Sequence, residues 1–213
     1  MSSKLITLLV LALAINPTRA DIDFTPVVHE YKAEGFTYRQ LRFKKDEGTV
    51  TLSPPQQWAV RGGKDRVQLS PPNKHLVEAT IQAVPLAAPQ RFDEAAMKAF
   101  EEQIIRGAPP GSESVQLIKR EENPVVIGQN LSFGLVISYQ LLGQTFQRSM
   151  IFVNCPDQQL IFRFSAPKAD FETFNSDFRR SLSSWQTSEP APSAANKSEP
   201  KVASNQLLPV SVR

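Results

Sequence analysis

The chain has 213 residues, of which 41% are hydrophobic and 21% charged, ordinary proportions for a globular domain and incompatible with disorder throughout. Its 24 Lys and Arg stand against 21 Asp and Glu, and setting aside Lys4 and Arg19 in a leader leaves 22 against 21, too even for an electrostatic nucleic-acid binder. A single cysteine and two histidines exclude an internal disulfide framework and a cysteine-rich metal site.

The first 20 residues carry the pattern of a cleavable secretory signal. Met1 to Lys4 is weakly positive, and Leu5 to Ile15 is an apolar run too short to cross a bilayer. Asn16-Pro17 then breaks the run, and Thr18 and Ala20 place small residues at −3 and −1 before Asp21. Export is expected, with residues 1–20 removed and residues 21–35 forming an N-terminal extension. No later segment is long and apolar enough to span a membrane. About 166 residues remain between leader and tail, enough for one domain with its own core.

The domain is expected over residues 36–186. Phe36 to Lys45 and Gly48 to Ser53 read as a hairpin around Asp46-Glu47-Gly48. Trp58 to Arg61 and Arg66 to Leu69 form a second short pair, turned by Gly62-Gly63. Leu76 to Val84 alternates, with Val77, Ala79, Ile81 and Ala83 on one face. A helix follows, striped by Phe92, Ala96, Phe100 and Ile104. Asp93 is its expected N-cap, Phe92 and Met97 sit at hydrophobic-staple positions, and Gly107 with Pro109 punctuates its end.

Leu131 to Leu141 is the clearest strand, with Leu131, Phe133, Leu135, Ile137, Tyr139 and Leu141 facing one way. Gly143-Gln144 and Pro156-Asp157 turn the chain into Thr145 to Asn154 and Gln159 to Ser165, which predicts an antiparallel meander. After Pro167 a second helix carries Phe171, Phe174, Phe178, Leu182 and Trp185 on one stripe, with Asp170 as its expected cap and Arg179 and Arg180 in its C-terminal half. From Thr187 the remaining 27 residues hold four prolines, five serines and no aromatic; disorder over 187–213 is expected. Leu207 to Val212 is read as loose chain rather than as a docking peptide.

These elements give an α+β fold, an antiparallel sheet with helices packed on it. The run Leu52-Ser53-Pro54-Pro55-Gln56-Gln57-Trp58 resembles the proline-rich strand end and following tryptophan of PsbP-like proteins. The element order through Ser181-Leu182-Ser183-Ser184-Trp185 is similar too, covering Phe36 to Trp185. That superfamily includes the extrinsic photosystem II subunit P, Ran-binding nuclear-import relatives and exported bacterial proteins. The resemblance implies a PsbP-like α/β/α sandwich and a non-catalytic accessory or binding role, with the exported bacterial branch fitting the leader best.

The sequence carries no Gly-x-Ser-x-Gly elbow, no His-Glu-x-x-His helix and no phosphate-binding glycine loop. Gly62-Gly63-Lys64 lacks the other residues of a phosphate loop and reads as a hairpin turn. His29 is expected in a mobile N-terminal segment and His75 at a surface turn. Asp93, Glu94, Glu101 and Glu102 read as a solvated helix side rather than an acid–base pair. Cys155 ends a strand with no thiol partner and no neighbouring histidine, and reads as a partly buried free thiol. Asn130-Leu131-Ser132 and Asn196-Lys197-Ser198 match the glycosylation sequon, used only in a eukaryotic secretory pathway. No catalytic residue, cofactor or metal is assigned. The expectation is an exported, monomeric binding protein for an unknown protein or small ligand. The alternative left open is an exported hydrolase with a site assembled from scattered residues. What separates the two is whether Asp, Glu, His or Cys side chains converge in one concave pocket.

Overall fold

The computed structural model describes residues 22–46, 48–86, 88 and 90–188. The leader and the tail beyond Ser188 lie outside the described residues. The chain folds as β1 (Ile22–Ala33), β2 (Phe36–Lys45), β3 (Gly48–Leu52), β4 (Ala59–Gly62), β5 (Arg66–Ser70), β6 (Glu78–Pro85), α1 (Glu94–Arg106), β7 (Glu113–Glu122), β8 (Ser132–Leu141), β9 (Gln144–Asn154), β10 (Gln158–Pro167), α2 (Lys168–Leu182) and β11 (Gln186–Ser188). A four-stranded sheet runs in the order β1-β2-β3-β11 and a seven-stranded sheet in the order β4-β5-β6-β10-β9-β8-β7. Every pairing is antiparallel. The class is the expected α+β, with a helix on each face of the large sheet.

Strand alternation divides the core into two. On one face of the large sheet Leu160, Phe162, Phe164 and Ala166 of β10, with Val136, Ile151 and Val153, pack against Phe171, Phe178 and Leu182 of α2 and against Phe24, Leu41, Phe43, Val50 and Leu52 of the small sheet. On the other face Phe133, Leu135, Ile137, Tyr139, Phe146, Phe152 and Ile161 meet Phe100 and Ile104 of α1. The β8 stripe is therefore as expected from Phe133 onward, while Leu131 precedes the strand and is exposed. The other side of β8 is no solvated face: Val136 lies in the first core, because a sheet covered on both sides buries both of its stripes.

Local chemistry sets the helix ends. Asp93 caps α1, its side chain accepting from the Ala96 amide at 2.8 Å. Asp170 does not cap α2. The helix starts directly after Pro167, with no side-chain cap, which places Asp170 inside the first turn, where it pairs with Lys74 at 2.7 Å. Nor is Trp185 part of α2. The Ser181 and Ser184 hydroxyls donate back to the Phe178 and Ser181 carbonyls, the local competition by which serine loosens a helix end. Ser184 Oγ also accepts from the Ser53 amide at 2.8 Å, and the chain leaves the helix before Trp185.

Three strands go beyond the sequence reading. The expected N-terminal extension contains β1, so His29 sits on a strand opposite Gln40 rather than in a mobile segment. The charged segment Glu113–Glu122 forms edge strand β7. Thr187 and Ser188, the first residues of the expected tail, pair with β3. β1 crosses closely over the end of β4. A Cβ on Gly62 would lie 2.1 Å from Pro26 Cδ and 2.3 Å from the Phe24 carbonyl oxygen, so this crossing requires glycine.

One ion network fastens α2 to the far edge of the large sheet. Arg179 donates to both oxygens of Glu121, at 3.0 and 2.5 Å, and to Ser149 Oγ at 3.1 Å. Lys119 adds a contact to Glu121 at 2.8 Å. Burial alone would raise the Glu121 carboxyl, but the hydrogen bonds from Arg179 and Lys119 outweigh it and hold Glu121 below the usual glutamate range.

Candidate functional site

Where the first core reaches the rim of the molecule, the two sheets leave a cavity of about 410 Å³. Its walls come from four places: the end of β2 (Lys45), the β7–β8 loop (Ile127 to Asn130), the β9–β10 turn with the start of β10 (Cys155 to Leu160), and the chain after α2 (Trp185 to Thr187). The turn is closed by the Cys155 amide donating to the Gln158 carbonyl at 2.8 Å, with Pro156 at the position where its fixed φ suits a β-turn. Lys45 pairs with Asp157 at 3.1 Å, and the Leu86 amide donates to the Asp157 carbonyl at 3.0 Å. The turn is thus tied to both sheets.

The wall chemistry is mixed. Trp185, 6% exposed, packs edge-on to Phe162 with ring centroids 5.6 Å apart, and with Leu160 and Ile127 it supplies the apolar part. Asn130 is committed to its own loop, donating to the Ile127 carbonyl at 3.0 Å. Gln158 is not so committed. It shares the face of Leu160 on β10, is only 4% exposed, and its Oε1 finds no hydrogen-bond donor among the described residues. A buried amide acceptor left unpaired costs about 1–3 kcal/mol, a cost a binding site recovers when a ligand supplies the donor.

The same cavity is poorly equipped for covalent chemistry. Burial, reinforced by Asp157 and opposed by Lys45, pushes the Cys155 thiol up to about 11, so it stays protonated and weakly nucleophilic near neutrality. Asp157 is the one carboxylate among the lining residues, and no histidine is among them. His29 lies on β1 and His75 is exposed in the turn before β6. The acidic side of α1 is spent locally: Asp93 caps the helix, Glu101 pairs with Arg120 at 2.6 Å and Glu102 with Arg106 at 3.6 Å. Gly63 closes the β4–β5 turn, its amide donating to the Arg66 carbonyl at 3.0 Å. Among the described residues no group of three or more His, Cys, Asp or Glu could hold a metal ion, and no helix is long and apolar enough to cross a membrane.

Sequence reasoning singled out Cys155 and the Pro156-Asp157 turn but missed Gln158 and Lys45. The turn signal marks where β9 becomes β10. The burial of the Gln158 side chain depends on parts of the chain distant in sequence, which no local pattern encodes.

Together the layers and the rim cavity define an α+β protein with an antiparallel sheet enclosed by helices and a small-molecule-sized hollow between its sheets. No family model and no curated protein matches the chain. It is similar in structure to cyanobacterial PsbP from Synechocystis, with 11% identity over 83% of this chain and 98% of that one and a TM-score of 0.49. It is also similar to LpqN, described as involved in cell envelope biogenesis of Mycobacterium tuberculosis, with 18% identity, coverage of 78% and 90%, and a TM-score of 0.43. A Bacteroides thetaiotaomicron protein gives 14% identity and a TM-score of 0.43 over 66% of this chain, which spans 45% of that protein. A cyanobacterial PsbP is among the solved structures to which the chain is similar.

Proposed function

We propose that this chain is an exported, non-catalytic accessory protein of the cell envelope or secreted fraction that binds a small ligand in the cavity beside Trp185. The observation that carries the reading is Gln158, which lines a 410 Å³ hollow and whose buried Oε1 has no donor among the described residues. The matching ligand class has an apolar ring or chain against Trp185, Leu160 and Ile127, and a hydroxyl or amine that pairs with the Gln158 amide once its oxygen turns toward the cavity. The protonated Cys155 thiol and the Lys45–Asp157 pair support binding over hydrolysis, since neither supplies a free base.

Export rests on the leader pattern. Intact-mass measurement of the protein from its native host should give a chain beginning at Asp21; an exported species retaining Met1 contradicts it. Binding is tested by thermal-shift screening of small hydroxyl- and amine-bearing ring compounds. Hits should raise the wild-type melting midpoint and leave Gln158→Met unmoved, because methionine fills similar space without an acceptor. A screen without hits on the wild type, or equal shifts in both proteins, overturns the reading.

A further inference from the structure

The far half of the β1–β2 hairpin stands away from both cores. Residues Val27 to Ala33 of β1 are all exposed, whereas Phe24 and Leu41 at its base are fully buried. The ribbon ends in a tight turn at Glu34 and Gly35, both with positive φ, the geometry that matches strand twist in two-residue hairpins. A two-stranded ribbon alone is marginally stable in water. Here its inner side, with Glu30, Thr37 and Arg39, faces the Ser53 to Gln57 loop.

The outer side is unpartnered and aromatic. Val27 is 67% exposed, Tyr31 45% and Phe36 62%. Tyr31 stacks on Tyr38 with ring centroids 5.4 Å apart, and His29 lies beside Tyr31. β1 is also the edge of the small sheet. Past Pro26 its edge carries no proline and no bulge through Ala33, two of the devices that stop one edge strand from pairing with another, and the charges it does carry, Glu30 and Lys32, are of opposite sign.

The charges on this edge select the occupant. In a two-fold antiparallel pairing of β1 with itself, each strand's residues lie opposite their mirror positions about the axis. Centring on Glu30 sets that carboxylate against its own copy, and centring on His29 sets Pro26, which has no N–H, opposite Lys32. Centring on Tyr31 sets Glu30 opposite Lys32 twice, His29 opposite Ala33, and Tyr31 on Tyr31, which extends the Tyr31–Tyr38 stack to four rings. Opposite charges facing across strands stabilise a pair and like charges destabilise it. We propose that the outer edge of β1 pairs antiparallel with β1 of a second copy of this chain, in the register centred on Tyr31. This self-association replaces the monomer expected from the sequence, and it is independent of the cavity.

Charge reversal tests it, because the register predicts a rescue. By sedimentation equilibrium at about 0.5 mM, a concentration suited to interfaces below standard size, the wild-type chain should form dimers. Glu30→Lys and Lys32→Glu should each weaken self-association by about tenfold or more, since each faces two like-charged pairs. Mixed in equal amounts, the two variants should form heterodimers, and the double reversal should restore the homodimer. Both side chains are exposed, so thermal melts should show all variants folded. A wild-type chain that stays monomeric overturns the proposal and leaves the ribbon to a different protein. Single reversals that dimerise like the wild type, or a mixture that does not associate, overturn it equally.

Discussion

The two faces of the large sheet are closed in different ways. Toward α2 the cover is double, a helix plus a second sheet, and it brings Phe24, Phe43, Trp58, Phe171 and Phe178 down on Phe162 and Phe164. Toward α1 the cover is a single helix burying Phe100 and Ile104, and it stops short of the β4–β5–β6 side. There the same face carries Arg61, Gln68, Thr80 and Arg163 along the paired strands. The better-covered face is also the one with a cavity at its edge, lined by Lys45 of the small sheet and by Gln158 and Leu160 of the large one. The candidate site thus borders the deeper core, through Ile127, Leu160 and Trp185, and not the helix clamp opposite.

Truncations on the two faces should separate most widely. Phe164 is 1% exposed and packs against Trp58, Phe171 and Phe178, so Phe164→Ala should cost about 3–5 kcal/mol in denaturant unfolding. Phe100, 8% exposed beneath one helix, should lie at or below the bottom of that range, about 3 kcal/mol. An equal or larger loss at Phe100 would break the comparison.

The Arg179–Glu121 pair sharpens it, because it joins α2 to the edge strand β7. Arg179→Ala leaves a mostly buried carboxylate without its main donor and should cost about 1–3 kcal/mol near neutrality. Glu121 is held below the ordinary glutamate value of 4.5 in the folded protein, so its contribution is present above that value and is lost as pH falls through the lowered one. The stability gap between wild type and variant, followed by denaturant titration from neutral to acid pH, should therefore close on the acid side. A gap that persists unchanged into acid would assign the loss to packing instead.

What the sequence made legible follows from which side chains meet locally. The β8–β9–β10 meander was readable because Phe133 to Leu141 alternates and because Gly143 and Pro156-Asp157 mark its turns. Both helices were readable from their aromatic stripes. β7 was not, since Glu113, Lys119, Arg120, Glu121 and Glu122 look like a solvated loop until β8 offers a ladder and Arg179 and Glu101 offer charge partners. β1 was hidden by Pro26 and by charges that only its pairing with β2 organises. Trp185 continued the helical stripe on paper, yet the helix ends at Leu182 because serine hydroxyls turn inward, a contest that periodicity does not register. At the site the turn was visible, but the hollow beside Gln158 needs Lys45 and Trp185 to Thr187, which come from opposite ends of the fold.

The smallest expected effect is also the most direct test of the central claim, that Gln158 Oε1 is kept unpaired for a ligand. Denaturant unfolding of ligand-free wild type and Gln158→Met compares a buried unpaired amide with an apolar side chain of similar shape. The variant should be more stable, by about 1 kcal/mol, because it removes an uncompensated polar group. A variant less stable than the wild type would mean that the Gln158 amide is satisfied within the fold, and would contradict the account.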